Sequence, residues 1–554
     1  MTTKIDSQNT DDANGNIIST VDVVIVGAGF AGLYMLHQVR ERGYSAKVFE
    51  VGGGVGGTWY WNRYPGARSD VESMQYSYSF NEELQQEWQW SERYASQSEI
   101  LRYLNYVTDK LDLWKDIQLD TRVMSAIFDE SSTKWTVRTN RGDQISAKFC
   151  VMATGCLSIP KTPDIKGLDR FKGKCYSVSQ WPHENINFSG HRVAVIGTGS
   201  SAIQCIPVVA EEAAHLYVFQ RTANFSIPLN NEPMTKEYEK EWKTNYAQRR
   251  REMRQMRCGV WNDIKAYSAL SLPSEELQQK YEIAWQQGGI VFLFHFNDLL
   301  KSKEANKTAS EFVCAKIREI VKDPTVAKTL LPQNYFLGTK RVCCDTTYYE
   351  TYNRENVTLV DIYNGPIDEI IPLGIKTKDK TYEVDDIILA IGFDAITGAL
   401  LNIDIRGSES KTLREKWANE PRTYLGIMVA DFPNLFIITG PGSPSEISNM
   451  ATSIEEHVKW VTECLEYMRT HNFGSIEPTI EAEDSWFKHV NDVANTTLYP
   501  TGNSWYTGAN IIGKPRIFMP YVGGCPEYWK KCEEIKSNGY EGFSFKNNSA
   551  NESF

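Results

Sequence analysis

Two strand–turn–helix units, each with a glycine-rich turn after a β-branched run, predict an α/β fold of parallel sheets. The first turn is Gly27-Ala28-Gly29-Phe30-Ala31-Gly32, preceded by Val21–Val26. The second is Gly197-Thr198-Gly199-Ser200-Ser201-Ala202, preceded by Val193–Ile196. A third observation sets the arrangement. Strand-like sequence resumes at Val357–Val360 and Ile387–Ile391, after a long stretch rich in Glu, Lys, Gln and Arg. The expected architecture is two dinucleotide-binding (Rossmann-like) domains, the second inserted in the first, with a helical insertion.

Each turn has a physical role. Gly27, Gly29 and Gly32 in the first, and Gly197 and Gly199 in the second, let the backbone approach a pyrophosphate. Ser200 and Ser201 open the second helix, whose N-terminus favours negative charge. Ala202 stands where the fingerprint has its last glycine, a replacement the pattern tolerates. Glu50 closes the strand Ala46–Phe49 at the spacing where a carboxylate accepts ribose hydroxyls, which suits FAD. The same spacing past the second turn falls at Gln220, followed by Arg221 and Thr222. A guanidinium there suits a 2′-phosphate, so the second ligand is read as NADPH.

The 554 residues exceed what one core supports. Residues 1–20 are polar and read as a disordered tail. Residues 21–155 and 386–554 are assigned to a discontinuous FAD domain, and 156–225 with 331–385 to the NADPH domain. Residues 226–330 form the helical insertion, with Glu237–Arg257 and Ser274–Trp285 as its clearest helices. Arg249-Arg250-Arg251 within it reads as a solvated helix face.

Composition excludes several classes. A net charge of −11 argues against nucleic-acid binding. No apolar run reaches membrane-spanning length. The 11 cysteines are scattered, with no CxxC, so no metal site is expected and a cytoplasmic location is.

From Gly56 to Asp70 the chain reads Gly-Gly-Thr-Trp-Tyr-Trp-Asn-Arg-Tyr-Pro-Gly-Ala-Arg-Ser-Asp. This block resembles a fingerprint of type I Baeyer–Villiger monooxygenases. Supporting blocks are Ala153-Thr154-Gly155, Phe219-Gln220-Arg221-Thr222, Thr339-Lys340-Arg341, Gly440–Asn449 and Ser504–Arg516. The resemblance implies NADPH- and oxygen-dependent conversion of ketones to esters or lactones through an anionic peroxyflavin. It places the required cation at Arg341, with Asp70 as its carboxylate partner. It also implies that Gly57, Trp59 and Tyr64 serve the flavin site, that Lys340 joins Arg221 and Thr222 at the 2′-phosphate, and that the Trp505 indole faces the nicotinamide ribose.

Besides Ala202, two departures from the family pattern stand out. Ser177 occupies the histidine position of Phe-x-Gly-x-x-x-His-x-x-x-Trp-Pro, and Ile391 replaces a common threonine. Glu446 sits in the pocket-loop stretch Ser443–Asn449, where relatives often carry a small or apolar residue. The competing readings are an N- or S-oxidising flavin monooxygenase, and a non-oxygenating NADPH oxidase or redox flavoprotein for which Ser177 is the motive.

Overall fold

The computed structural model of the chain describes residues 9–11 and 17–548. Among the described residues the largest sheet has nine strands. The central path runs Asp404–Arg406, Val123–Asp129, Lys134–Thr139, Gln144–Met152, Ile17–Val26, Ala46–Phe49, Ile117–Gln118. Ile17–Val26 runs parallel to both neighbours, with Val23 opposite Ala46 on one side and Phe149 on the other. Val23, Val24 and Ile25 are fully buried, as a strand covered on both faces requires. Lys134–Thr139 pairs antiparallel with the first part of Gln144–Met152, and Leu435–Ile437 pairs parallel with its last three residues. The two glycine-rich turns thus leave the carboxyl ends of central strands, where open α/β sheets bind ligands.

The second sheet has five parallel strands in the order Val357–Asp361, His215–Gln220, Arg192–Ile196, Asp386–Leu389, Lys174–Ser177. Its central strand, Arg192–Ile196, feeds the second glycine turn and the helix Ser200–Glu212.

Two boundaries differ from those read in the sequence. The strand Asp386–Leu389 pairs with Arg192–Ile196 and Lys174–Ser177, so it belongs to the second domain and not to the first. The chain rejoins the first sheet only at Asp404–Arg406. The apolar run alone could not tell which of two buried sheets it joins. The N-terminal segment is not wholly a tail. Ile17–Val26 outruns its neighbour Ala46–Phe49, and Asn9–Asp11 pairs antiparallel with Ile17–Ser19 there. Residues 1–8 and 12–16 of the expected tail lie outside the described residues.

The insertion is helical but has no core of its own. Trp242 and Tyr246, on the helix Lys236–Met253, join the core of the first domain. Tyr281 and Ala284 of Ser274–Gln287, and Phe312 and Val313 of Lys303–Ile320, join that of the second. These helices start where capping side chains allow: Thr235 accepts from the Tyr238 N–H, and Ser302 from that of Ala305. Among the described residues no helix is long and apolar enough to cross a membrane, and all 11 cysteines are free thiols.

Candidate active site

The first glycine turn is shaped by contacts only glycine permits. Gly27 has φ +106°, and a side chain there would meet the Ala153 carbonyl oxygen at 2.5 Å. A Cβ on Gly32 would lie 1.8 Å from the Gly27 carbonyl oxygen. Gly57 stands back to back with Gly29, its would-be Cβ 3.0 Å from the Gly29 Cα. The Gly56 N–H donates to the Ala28 carbonyl at 2.9 Å, so the Gly56–Asp70 block is built onto the turn. Glu50 is buried and accepts the Ala28 and Gly52 N–H groups, each at 2.7 Å. Burial raises its pKa and these backbone donors counter it. A carboxylate has four lone-pair directions, so capacity is left for ribose hydroxyls. This cradle fits the adenosine end of FAD.

The second turn differs. Nothing lies within 4 Å of a Cβ at Gly199, so the backbone is open to a ligand there. The Ser200 hydroxyl lies 3.3 Å from the Cys343 thiol, and Ser201 faces the Tyr64 hydroxyl. Thr222 accepts the Thr198 hydroxyl through its carbonyl. Arg221 is exposed, and Lys340 stacks over the Tyr335 ring at 4.3 Å. Burial and the nearby Arg221 cation lower the Lys340 pKa. Among the described residues neither cation has a carboxylate partner. Two adjacent cations without a counter-ion fit the 2′-phosphate of NADPH.

Between the two turns, three distant segments converge on one guanidinium. Arg341 precedes the short strand Cys343–Asp345, which pairs with Ser226–Pro228. Its Nε and Nη2 donate to Asp70 Oδ2 at 3.0 and 2.6 Å, and its Nη1 donates to the Glu446 carbonyl at 2.6 Å. Glu446 lies in the helical turn Ser445–Ile447, just ahead of the helix Met450–Thr470, which Asn449 caps. Burial opposes the charge on Arg341, but Asp70 outweighs it and raises the pKa above the ordinary arginine value. Asp70 and the Glu446 carbonyl take three of the five guanidinium N–H groups, the Tyr506 hydroxyl lies beside the guanidinium, and the side chain keeps 25% exposure. Asp70 lies outside any helix, so it caps nothing.

The remaining residues take several places. Tyr64 is buried and donates to Gln204 Oε1 at 2.9 Å, on the helix of the second turn, so its hydroxyl ties the two domains together. The Trp59 indole donates to the Tyr76 hydroxyl at 3.3 Å. Trp505 lies 4.3 Å from the Tyr506 ring, and its indole N–H has no partner among the described residues. Ser177 ends its strand with its hydroxyl 2.8 Å from that of Ser179, and it touches none of these groups. A cleft of about 350 Å³ lined by Arg63, Trp181, His183 and Glu212 lies outside the cluster.

Sequence reading missed Tyr506, which is buried against Arg341, and Cys156, beside the Glu446 carboxyl. Tyr506 lies within Ser504–Arg516, and Cys156 directly follows Ala153-Thr154-Gly155. Position in or beside those blocks is their only signal in the sequence.

Two nucleotide cradles flanking a clamped arginine define a flavoprotein oxidoreductase with a pyridine-nucleotide site, and comparison with known proteins agrees. Residues 24–258 match the pyridine nucleotide-disulphide oxidoreductase family model. A Baeyer–Villiger monooxygenase of Pseudooceanicola batsensis is 40% identical over 94% of this chain and 95% of its own. The phenazine N-monooxygenase PhzNO1 of Lysobacter antibioticus is 40% identical over 94% and 96%. The structure of an oxidised steroid monooxygenase bound to NADP superposes with a TM-score of 0.92 at 48% identity, covering 96% of this chain and all of that one. The chain belongs to the Baeyer–Villiger monooxygenases, flavin enzymes that use FAD and NADPH.

Proposed function

We propose that this protein converts ketones to esters or lactones, with Arg341 as the cation of the reaction and Asp70 as the residue that aims it. The Arg341 guanidinium carries the reading, because it is clamped by Asp70 and the Glu446 carbonyl and still keeps partial exposure. Oxygen insertion beside a carbonyl builds negative charge on the former carbonyl oxygen. A fixed donor aimed there stabilises that charge without reorganisation, and losing one such donor costs about 100-fold or more in rate. The flavin, when bound and reduced by NADPH, supplies oxygen activated from O2, one atom entering the ester and the other leaving as water.

The chain's own residues then have distinct tasks. The first turn and Glu50 hold FAD. The second turn, with Arg221, Thr222 and Lys340, holds NADPH, and Trp505 offers its indole N–H to the nicotinamide ribose. Tyr64 and Gln204 keep the two cradles in register across the domain boundary. The free thiols support a cytoplasmic location.

The phenazine N-monooxygenase relative raises oxidation of soft nitrogen or sulfur as a second reading. That chemistry needs no fixed cation at the substrate, so it is expected here as a side activity. Purified protein should bind FAD and oxidise NADPH faster when a ketone is added, with ester seen by mass spectrometry. A paired ketone and sulfide in one vessel separates the readings. Sulfoxide without ester would overturn ketone oxidation, as would peroxide release indifferent to every ketone.

A further inference from the structure

The Glu446 backbone is used by Arg341, but its side chain has no such role. Glu446 is 7% exposed, and neither carboxyl oxygen has a hydrogen-bond partner among the described residues. The Cys156 thiol, the Ser445 hydroxyl and the Glu446 N–H lie beside the carboxyl and favour its charge without reaching hydrogen-bond geometry. The Ser445 hydroxyl donates instead to the Thr439 carbonyl at 3.4 Å, and the Cys156 thiol beside the carboxyl is a weak donor. The Arg341 guanidinium is turned to Asp70 and to the Glu446 carbonyl rather than to this carboxyl. Other buried acids of this chain are satisfied. Glu455 accepts the Ser79 N–H, and Glu483 accepts the Ala430 N–H at 2.9 Å. A buried, unpaired carboxyl costs free energy unless something pairs with it.

We infer that Glu446 is a specificity-determining residue whose carboxyl group pairs with a hydroxyl carried by the ketone substrate. The inference rests on the ketone-oxidising reading, since it places the hydroxyl beside the Arg341 and Tyr506 side chains. Burial pushes the Glu446 pKa upward, with Cys156, Ser445 and Arg341 opposing it. A hydroxyl can donate to the ionised carboxyl or accept from the neutral one. An ammonium would require the ionised form beside an ion pair already in place. The neutral partner is therefore the better match.

The test compares cyclohexanone with 2-, 3- and 4-hydroxycyclohexanone on the FAD- and NADP-bound protein. Affinity is read from flavin absorbance changes, which needs no turnover, and kcat/KM is read in parallel. Wild type should favour at least one hydroxyketone by about tenfold or more. Glu446→Leu should remove or reverse that preference, and Glu446→Gln should keep most of it. The ratio between ketones is the readout, so a general loss in a variant cancels. Equal affinities in wild type, or the same ratio in Glu446→Leu, would overturn the inference. So would a gain confined to 4-aminocyclohexanone, which would mark an ionised carboxylate selecting a cation. Absence of ester with the binding preference intact would instead count against the catalytic reading alone.

Discussion

Asp70 and Arg341 are 271 positions apart in the chain and meet through two hydrogen bonds to a single carboxylate oxygen. That geometry fixes the plane of the guanidinium. Arg341→Ala is expected to lower ester formation about 100-fold or more, while NADPH still reduces the flavin. Asp70→Ala should cut ester formation in the same direction by loosening the cation. Stopped-flow reduction and product analysis separate the two half-reactions. Equal loss of both would show that Arg341 chiefly holds the nicotinamide or the fold.

Arg221 and Lys340 share one neighbourhood and no carboxylate. Arg221→Ala should weaken NADPH about tenfold or more and leave NADH nearly untouched, because only NADPH carries the 2′-phosphate. Lys340→Ala should act in the same direction. Steady-state KM values for both nucleotides give the ratio. An equal effect on the two cofactors would refute the phosphate role.

Much of this arrangement is legible from residue order. The glycine turns read correctly because a tight turn after a β-branched run has few alternatives. Glu50 falls at the end of its strand, where a fixed spacing puts it. What could not be read depends on folding across the chain. Asp386–Leu389 is as apolar as any strand of the first sheet, and only pairing assigns it to the second. Trp242 and Tyr281 lie in similar helical sequence yet enter different cores. The Glu446 carbonyl is a backbone group, and no residue pattern announces which backbone oxygen will face a guanidinium.

Gly66 carries the contact between the flavin block and the second domain. Its φ is +82°, and an added Cβ would sit 2.2 Å from the Gln204 carbonyl oxygen. Gly66→Ala must either strain the backbone or part the domains, at a cost of about 1–3 kcal/mol. The melting temperature should fall, and coupling of NADPH oxidation to ester should fall with it. Tyr64→Phe removes only the hydrogen bond to Gln204, worth about 1 kcal/mol, and should show a smaller shift. A Gly66→Ala variant as stable and as coupled as wild type would show that the domains separate there without consequence.

His457 sets an acid limit on the fold. It is buried, and its Nδ1 accepts the Thr439 N–H at 3.0 Å. The proton must then sit on Nε2, which donates to the Tyr528 hydroxyl oxygen at 2.7 Å, and that hydroxyl donates to the Leu425 carbonyl. The ring is neutral in this network, and burial pushes its pKa down to about 3. The unfolded chain takes up a proton at its ordinary histidine pKa of about 6.5, so between these values the unfolded state binds more protons. Stability from this residue is full above about pH 6.5 and is lost as pH falls towards 3, by about 1.4 kcal/mol per pH unit. Urea unfolding of wild type and His457→Gln at pH 7, 6 and 5 should show wild type losing stability more steeply. Parallel slopes for the two proteins would mean that His457 is already protonated in the fold, or that its network opens before it titrates.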